Sequence, residues 1–390
     1  MSRQVTLINP PQTQLLLPRA YIPLGLGSLA AVLEESSIDV EILNLADCAD
    51  IDRVEIPRSE WYGISCVSAT LQSTKKLVSR LIEHGKTVVG GVHPSVLPEE
   101  TYSEVNPDVV MTGEAEHLFR DLVSEKAESE PIMHAGLIQD LDSLPFPARH
   151  LFDRRDVVDY TGIHGQDKGV PATSVITSRG CPFSCAFCTK GHPMFNWYRY
   201  RNADLVYDEL AFLKEEYGVK HVRFVDDEFT LHKQRTAELM RKMADLDLSF
   251  VCITRADTLD STLLSLMEKG GCTEVHIGVE TGSDRLLGLM NKQTTSKILL
   301  KGVHMIKDAG IRVKTYLMVN YPGETEEDRR LTVEWMKKAK PDKFTLSNFT
   351  PLPGSATAAY IKQKGDGWFY PDEDKAFIEY RDKLREASRC

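Results

Sequence analysis

Ser174-Val175-Ile176-Thr177-Ser178-Arg179-Gly180-Cys181-Pro182-Phe183-Ser184-Cys185-Ala186-Phe187-Cys188 carries a β-branched run straight into a loop with the spacing C-x3-C-x2-C. Three thiols this close on a Gly- and Pro-containing loop can converge on one soft metal centre without help from distant residues. Three is the informative number, because a cubane cluster with three Cys ligands leaves one iron open to a substrate or cofactor. The rival is structural zinc: His192 follows Cys188 by four positions and completes a Cys3His set on spacing alone.

Outward from the loop, strand-like runs near 174–177, 222–225, 250–254, 274–278, 313–319 and 344–348 alternate with helical stretches at 205–217, 236–246 and 326–338. Six strand–helix units predict an open, partial (β/α)6 barrel over 171–356, with its chemistry at the carboxyl ends of the strands. Before the loop, runs at 5–9, 40–45, 62–66, 87–90 and 109–111 alternate with amphipathic stretches at 24–33 and 71–84. That rhythm predicts an N-terminal doubly wound, Rossmann-like α/β domain over 1–125, whose ligand sits beyond the strand ends. Residues 126–170 are polar, Pro- and Gly-containing, and read as a linker. Residues 357–390 read as a C-terminal helical tail; from Lys362, with Trp368, Phe369 and Tyr370, it is either a cap on the open barrel or a solvent-facing helix pair.

Cys181, Cys185 and Cys188 resemble the cysteine signature of radical S-adenosylmethionine (SAM) enzymes. The resemblance implies a [4Fe–4S] cluster whose open iron chelates the methionyl end of SAM. Reduction then splits the sulfonium into methionine and a 5′-deoxyadenosyl radical, which takes a hydrogen atom from substrate. The resemblance extends to the strand ends. Phe224-Val225-Asp226-Asp227-Glu228-Phe229-Thr230 lies where the family recognises the methionyl ammonium. Arg255 is similar to an arginine that meets the methionyl carboxylate. In Gly278-Val279-Glu280-Thr281-Gly282-Ser283, Glu280 resembles a glutamate that contacts the ribose or amino group. Phe187, Ser283 and Tyr316 are placed at the same cofactor by the resemblance. Other readings stay open: acids at 226–228 also suit a helix N-terminus, Arg255 a surface ion pair, and Tyr316 with Met318 plain core packing.

Asn9-Pro10-Pro11, Pro23-Leu24-Gly25-Leu26, Gly90-Gly91-Val92-His93-Pro94 and Gly113-Glu114-Ala115-Glu116 are similar to the cobalamin-binding domain of the B12-binding branch of that family. This implies a corrin near Pro10, Pro11, Ser65, Ser68, Thr70, Gly90, Gly91, His93, Gly113 and Glu114. Glycines at strand ends let backbone approach a bulky ligand. The string Asp-x-His-x-x-Gly is absent, so His93 is not read as a cobalt ligand. A degenerate domain without a corrin is the alternative. With cobalamin, the resemblance implies methyl transfer to an unactivated carbon, on a scaffold that also hosts cyclisations and rearrangements. It also implies a small-molecule or peptide substrate and an electron donor such as flavodoxin or ferredoxin.

Composition sets the outer bounds. With 390 residues, 42% hydrophobic and 27% charged, the chain reads as a folded protein of two domains. A net charge of −10 speaks against nucleic acid or anionic lipid as partner. The absence of a signal-like start or a long apolar run predicts a cytoplasmic protein without membrane contact. Eight cysteines are too few for a disulfide scaffold, and Cys48, Cys66, Cys252 and Cys272 sit in apolar runs as small buried residues. Only Cys48 and Cys66 fall in the first domain, too few for the second cluster of a transfer-RNA methylthiolase. A corrinoid or iron–sulfur sensor is the non-enzymatic alternative.

Overall fold

The β-branched runs of the first 134 residues become six parallel strands: β1 (Arg3–Asn9), β2 (Val40–Asn44), β3 (Ser59–Ser65), β4 (Lys86–Gly90), β5 (Val109–Thr112) and β6 (Ile132–His134), in the order β2-β1-β3-β4-β5-β6. These come from a computed structural model that describes residues 3–12, 15–360, 363–364, 367–368 and 375–389. Helices α1 (Leu24–Glu35), α2 (Leu71–Leu81), α3 (Val92–Val96), α4 (Pro98–Val105) and α5 (Glu116–Val123) connect them. α2 buries Leu71, Thr74, Leu77, Val78 and Leu81, one stripe at helical spacing, against the sheet. β5 is buried along its whole length, as a strand covered on both faces must be. The strand order reverses between β1 and β3, which opens a crevice at their carboxyl ends.

The sequence predicts five strands here, and the structure has six. β6 lies inside the stretch read as a linker, and Met1–Asp159 with Lys362–Trp368 form one compact unit. Three residues are too few to display a period of two.

The second unit, Tyr160–Ile361 with Phe369–Cys390, carries β7 (Ala172–Val175), β8 (His221–Phe224), β9 (Ser249–Thr254), β10 (Cys272–Glu280), β11 (Arg312–Val319) and β12 (Lys343–Asn348). All pair in parallel and in strict sequence order, β7 and β12 forming the edges, which is the wall of an open barrel. Helices α6 (Ala203–Tyr217), α7 (Lys233–Met243), α8 (Ser261–Lys269), α9 (Asp284–Leu289), α10 (Ser296–Asp308) and α11 (Glu326–Ala339) alternate with them. α12 (Lys375–Arg389) packs along α11, its Tyr380 hydroxyl donating to the Arg329 carbonyl at 3.2 Å. Lys362, Phe369 and Tyr370 of the tail lie outside the described residues.

Alternation along the strands gives the barrel two faces. Val275, Ile277 and Val279 of β10 and Val313, Leu317 and Val319 of β11 are almost wholly buried, on the face that α8 and α10 cover. Glu274, His276 and Gly278, with Lys314, Tyr316 and Met318, therefore line the opposite, inner wall. Hydrogen bonds from His276 Nε2 to Glu274 (2.8 Å) and from Tyr316 to His276 Nδ1 (3.0 Å) run along that wall. Among the described residues no helix is long and apolar enough to cross a membrane.

Candidate active site

The cysteine loop leaves β7 and is held by neighbours on several sides. Gly180 has φ +84°, and a Cβ there would stand 2.2 Å from the Trp197 carbonyl oxygen, so the entry to the loop requires glycine. Cys181 N donates to the Phe195 carbonyl (3.0 Å) and Ala186 N to that of Met290 (2.8 Å). Asn291 Nδ2 donates to the Ser184 carbonyl at 2.8 Å. Thr357 N donates to the Ala186 carbonyl at 3.1 Å. The turn is thus shaped by protein contacts from after β10 and after β12.

All three thiols are free, Cys185 is buried, and Cys181 and Cys188 are half-buried. Burial pushes the Cys181 thiol up to about 11 and raises that of Cys188, and Asp227 and the neighbouring sulfurs add to both shifts. Among the described residues no group of three or more His, Cys, Asp or Glu side chains, the cysteine trio included, is drawn in around a single ion; the His192 Nδ1 accepts from Met194 N at 3.3 Å. Three soft thiols on one loop, close enough to feel one another's charge, fit a cluster held by three cysteines with one open iron.

The strand-end residues gather around this loop to different degrees. Asp226 is buried, with one oxygen accepting from Thr177 N (3.1 Å), Thr177 Oγ1 (2.7 Å) and Ser178 Oγ; burial raises its pKa. Its other oxygen, Oδ2, is buried without a hydrogen-bond partner among the described residues. Asp227 faces the loop and pairs with Lys190 at 3.0 Å. Glu228 turns into the barrel wall, where Thr254, Thr258 (2.9 Å) and Thr230 (3.3 Å) donate to it; burial pushes it up to about 6.

Arg255 stacks its guanidinium 3.8 Å over the ring of Phe183, inside the cysteine loop. It donates to Asp257 (2.9 and 2.6 Å) and to the Lys292 carbonyl (3.0 Å), yet its Nη1 is buried and unpartnered among the described residues. This is the feature a bound carboxylate would complete. Glu280 sits at a bulge in β10 with φ +64° and pairs with buried Lys292 at 2.8 Å. A Cβ on Gly278 would meet both partners, at 2.5 and 2.9 Å, so the glycine makes room for the pair. Lys292 Nζ also lies 5.6 Å from the ring of Phe187. Nothing in the sequence pattern singles out Lys292 or Phe183; folding brings both to the site.

Two predicted residues are engaged elsewhere. Ser283 is wholly buried, caps α9 through Leu286 N (3.3 Å) and donates to Asp328. Tyr316 belongs to the inner wall with His276.

In the first unit the predicted residues line the carboxyl edge of the sheet. Pro10 and Pro11 are buried just beyond β1, and Ser65 ends β3. Ser68 Oγ bonds His93 Nδ1 at 2.9 Å. Thr70 instead turns inward: its hydroxyl accepts from Val67 N and donates to the Val67 carbonyl, both at 3.1 Å, closing its own turn. Beyond Gly90, Gly91 has φ +116°, and a Cβ there would lie 2.6 Å from the Cys66 carbonyl oxygen. Gly113 N donates to Ser95 Oγ (3.0 Å), and Glu114 accepts from Ile138 N (2.7 Å). His93 is buried, and burial lowers its ring to about 4, so it is neutral near pH 7. Leu16, fully exposed, and Tyr21 and Val67, each about two-fifths exposed, stand on the loops that follow β1 and β3, and Val92, equally exposed, opens α3 beyond β4. An exposed apolar rim with close-approach glycines fits a broad, largely apolar ring.

Comparison with known proteins agrees with this geometry. The Radical SAM superfamily matches residues 175–336 and the B12 binding domain residues 17–123. An uncharacterized methyltransferase of Pyrococcus horikoshii, PH0819, is 30% identical over 87% of this chain and 78% of its own. The cytidylyl-2-hydroxyethylphosphonate methyltransferase of Streptomyces wedmorensis is 25% identical over 90% and 80%. Other relatives include further methyltransferases and a magnesium-protoporphyrin IX monomethyl ester cyclase. In fold, the radical SAM methyltransferase TsrM of Kitasatospora setae superposes with a TM-score of 0.72 at 19% identity, over 93% of this chain and 78% of that one.

Proposed function

The chain belongs to the B12-binding radical SAM enzymes, and on that premise we propose that it transfers a methyl group to an unactivated carbon of a small molecule or peptide. When bound, the cluster and SAM supply a 5′-deoxyadenosyl radical and the corrin a methyl group. The residues of this chain supply the rest. Cys181, Cys185 and Cys188 hold the cluster. Arg255 offers its unpartnered Nη1 to the methionyl carboxylate, while Asp226 and Asp227 offer acceptors to the ammonium. Glu280, held in place by Lys292, receives the ribose or amino group, and Phe187 bounds the cofactor laterally. In the first unit, the backbone at Gly90, Gly91 and Gly113 and the hydroxyls of Ser65 and Ser68 receive the corrin, with the apolar rim excluding water. A flavodoxin or ferredoxin of the cytoplasm delivers the electron.

The observation that carries the radical half is the buried, unpartnered guanidinium nitrogen of Arg255 stacked on the cysteine loop. Methyl transfer rests on the relatives that are methyltransferases, among them the two that match this chain over 87% and 90% of its length. The test is anaerobic reconstitution with iron, sulfide and cobalamin, then reduction with SAM and mass spectrometry of the products. Methyl transfer through this chain yields both 5′-deoxyadenosine and S-adenosylhomocysteine. Deoxyadenosine alone replaces methyl transfer by a cyclisation or rearrangement, and neither product overturns the radical reading.

A further inference from the structure

Below the bulge of β10, the inner wall of the barrel is charged in one direction. Register sets Arg223 of β8 opposite Val251, and Val251 opposite Glu274, so all three face the same way. Arg312 and Lys314 of β11 and Lys343 of β12 join that face, with Lys314 directly opposite Lys343. Among the described residues Glu274 is the one carboxylate on this part of the wall, against four cations. Glu274 is already surrounded: His276 bonds it at 2.8 Å, Lys343 pairs with it at 2.8 Å and Arg312 lies 3.7 Å away.

Lys314 is left over. It is half-buried, it meets no carboxylate at ion-pair distance among the described residues, and its ammonium lies 5.2 Å from the ring centroid of Tyr316. Desolvation, then the charges of Arg223 and Lys343, lower its pKa, while Glu274 opposes them. His276 does not relieve the excess of positive charge, and neutral it adds none: burial, then Arg223, lowers its pKa, although Glu274 pulls the other way. A cation among cations in a partly desolvated wall is unfavourable by itself, and an anion is what would make it favourable.

We propose that the substrate carries an anionic head, a carboxylate or a phosphoryl group, and that Lys314 on the inner barrel wall receives it. Lys314 is thereby a specificity-determining residue; it takes no part in the radical chemistry. The proposal rests on the substrate of the enzyme entering this barrel, as the proposed function requires.

The experiment is lysine footprinting of the full chain with acetic anhydride, read residue by residue by mass spectrometry. It compares inorganic phosphate, glutarate, and potassium chloride at matched ionic strength. Acetylation of Lys314 is expected to fall about tenfold once the protecting anion stands about tenfold above its dissociation constant. Acetylation of Lys375, whose side chain is exposed at the start of α12, should not change. Protection by phosphate alone assigns a phosphoryl head, by glutarate alone a carboxylate, and by both an oxyanion of either kind. Three results overturn the proposal: no protection, equal protection by chloride or at Lys375, or a Lys314 that resists acetylation without any anion and so is closed to ligands. The footprint needs no turnover. Deoxyadenosine formation by the loaded enzyme therefore reports separately on radical cleavage, and either result can fail without the other.

Discussion

The carboxyl edges of the two parallel sheets are built from the same element, and they recognise by opposite means. The edge of the first sheet offers close-approach glycines and an apolar rim at Leu16, Tyr21, Val67 and Val92, with His93 neutral and Glu114 already accepting from backbone. The edge of the second offers three thiols and a set of buried charges, with Arg255 and Asp226 each holding back one atom that has no partner among the described residues. A broad ring is held by shape and area, which many residues share. A small polar cofactor is held by point interactions, which few residues share. The difference teaches where single substitutions should be absolute and where they should be graded.

The sharpest break is Cys185→Ala. It removes one of three cluster ligands, so iron content and the iron–thiolate absorption should collapse and deoxyadenosine should fall to background. Corrin retention by the first unit should remain; a variant that still cleaves SAM would end the cluster assignment. Next is Lys292→Met, which leaves Glu280 buried and uncompensated. Denaturant unfolding should show a loss of roughly 3–5 kcal/mol. Adding Glu280→Gln should recover most of that loss, because the double variant buries no lone charge. An unchanged midpoint for the single variant would mean that the pair is hydrated.

How much of this contrast could be read in the sequence follows from how local each signal is. The cysteine trio is complete within eight residues, and the strands of both sheets announce themselves as β-branched runs because helices bury them. β6 escapes, since Ile132-Met133-His134 is too short for any period and only Met133 is buried. Lys292 escapes for another reason: in Asn291-Lys292-Gln293 it belongs to no motif, and it becomes a site residue only because the chain returns it to Glu280. Ser283 and Thr70 show the converse. Each is a hydroxyl at a strand end, as expected, but Asp328, forty-five residues later, takes the first and the second closes its own turn. Sequence locates side chains along a strand end, and long-range partners decide which of them remain available.

Gly91→Ala probes the first edge in its own terms. The φ of +116° and the approach of Cys66 make alanine strained there, with an expected loss of roughly 1–3 kcal/mol in unfolding free energy. Corrin affinity should fall with it, while reconstituted iron content stays at the wild-type level. Loss of iron along with corrin would show that the two edges are not independent.

The smallest expected effect separates a charge that serves a ligand from one that serves the fold. Glu228 is buried among threonines, and burial raises its pKa from 4.5 to about 6. Because the folded value lies above the unfolded one, the folded chain binds this proton more tightly. Its contribution is fully present below about pH 4.5 and is lost as pH rises through about 6. The difference corresponds to about 2 kcal/mol, an order-of-magnitude figure. Glu228→Gln keeps an oxygen for Thr254 and Thr258 without the ionisable proton, so it should gain stability over the parent at pH 8 and lose that advantage at pH 4.5. If Glu228 instead meets the methionyl ammonium, as the sequence resemblance suggests, Glu228→Gln should also weaken SAM binding. The threonine shell predicts that the unfolding midpoint moves with pH and SAM affinity does not, which would leave Asp226 and Asp227 as the acids of that edge.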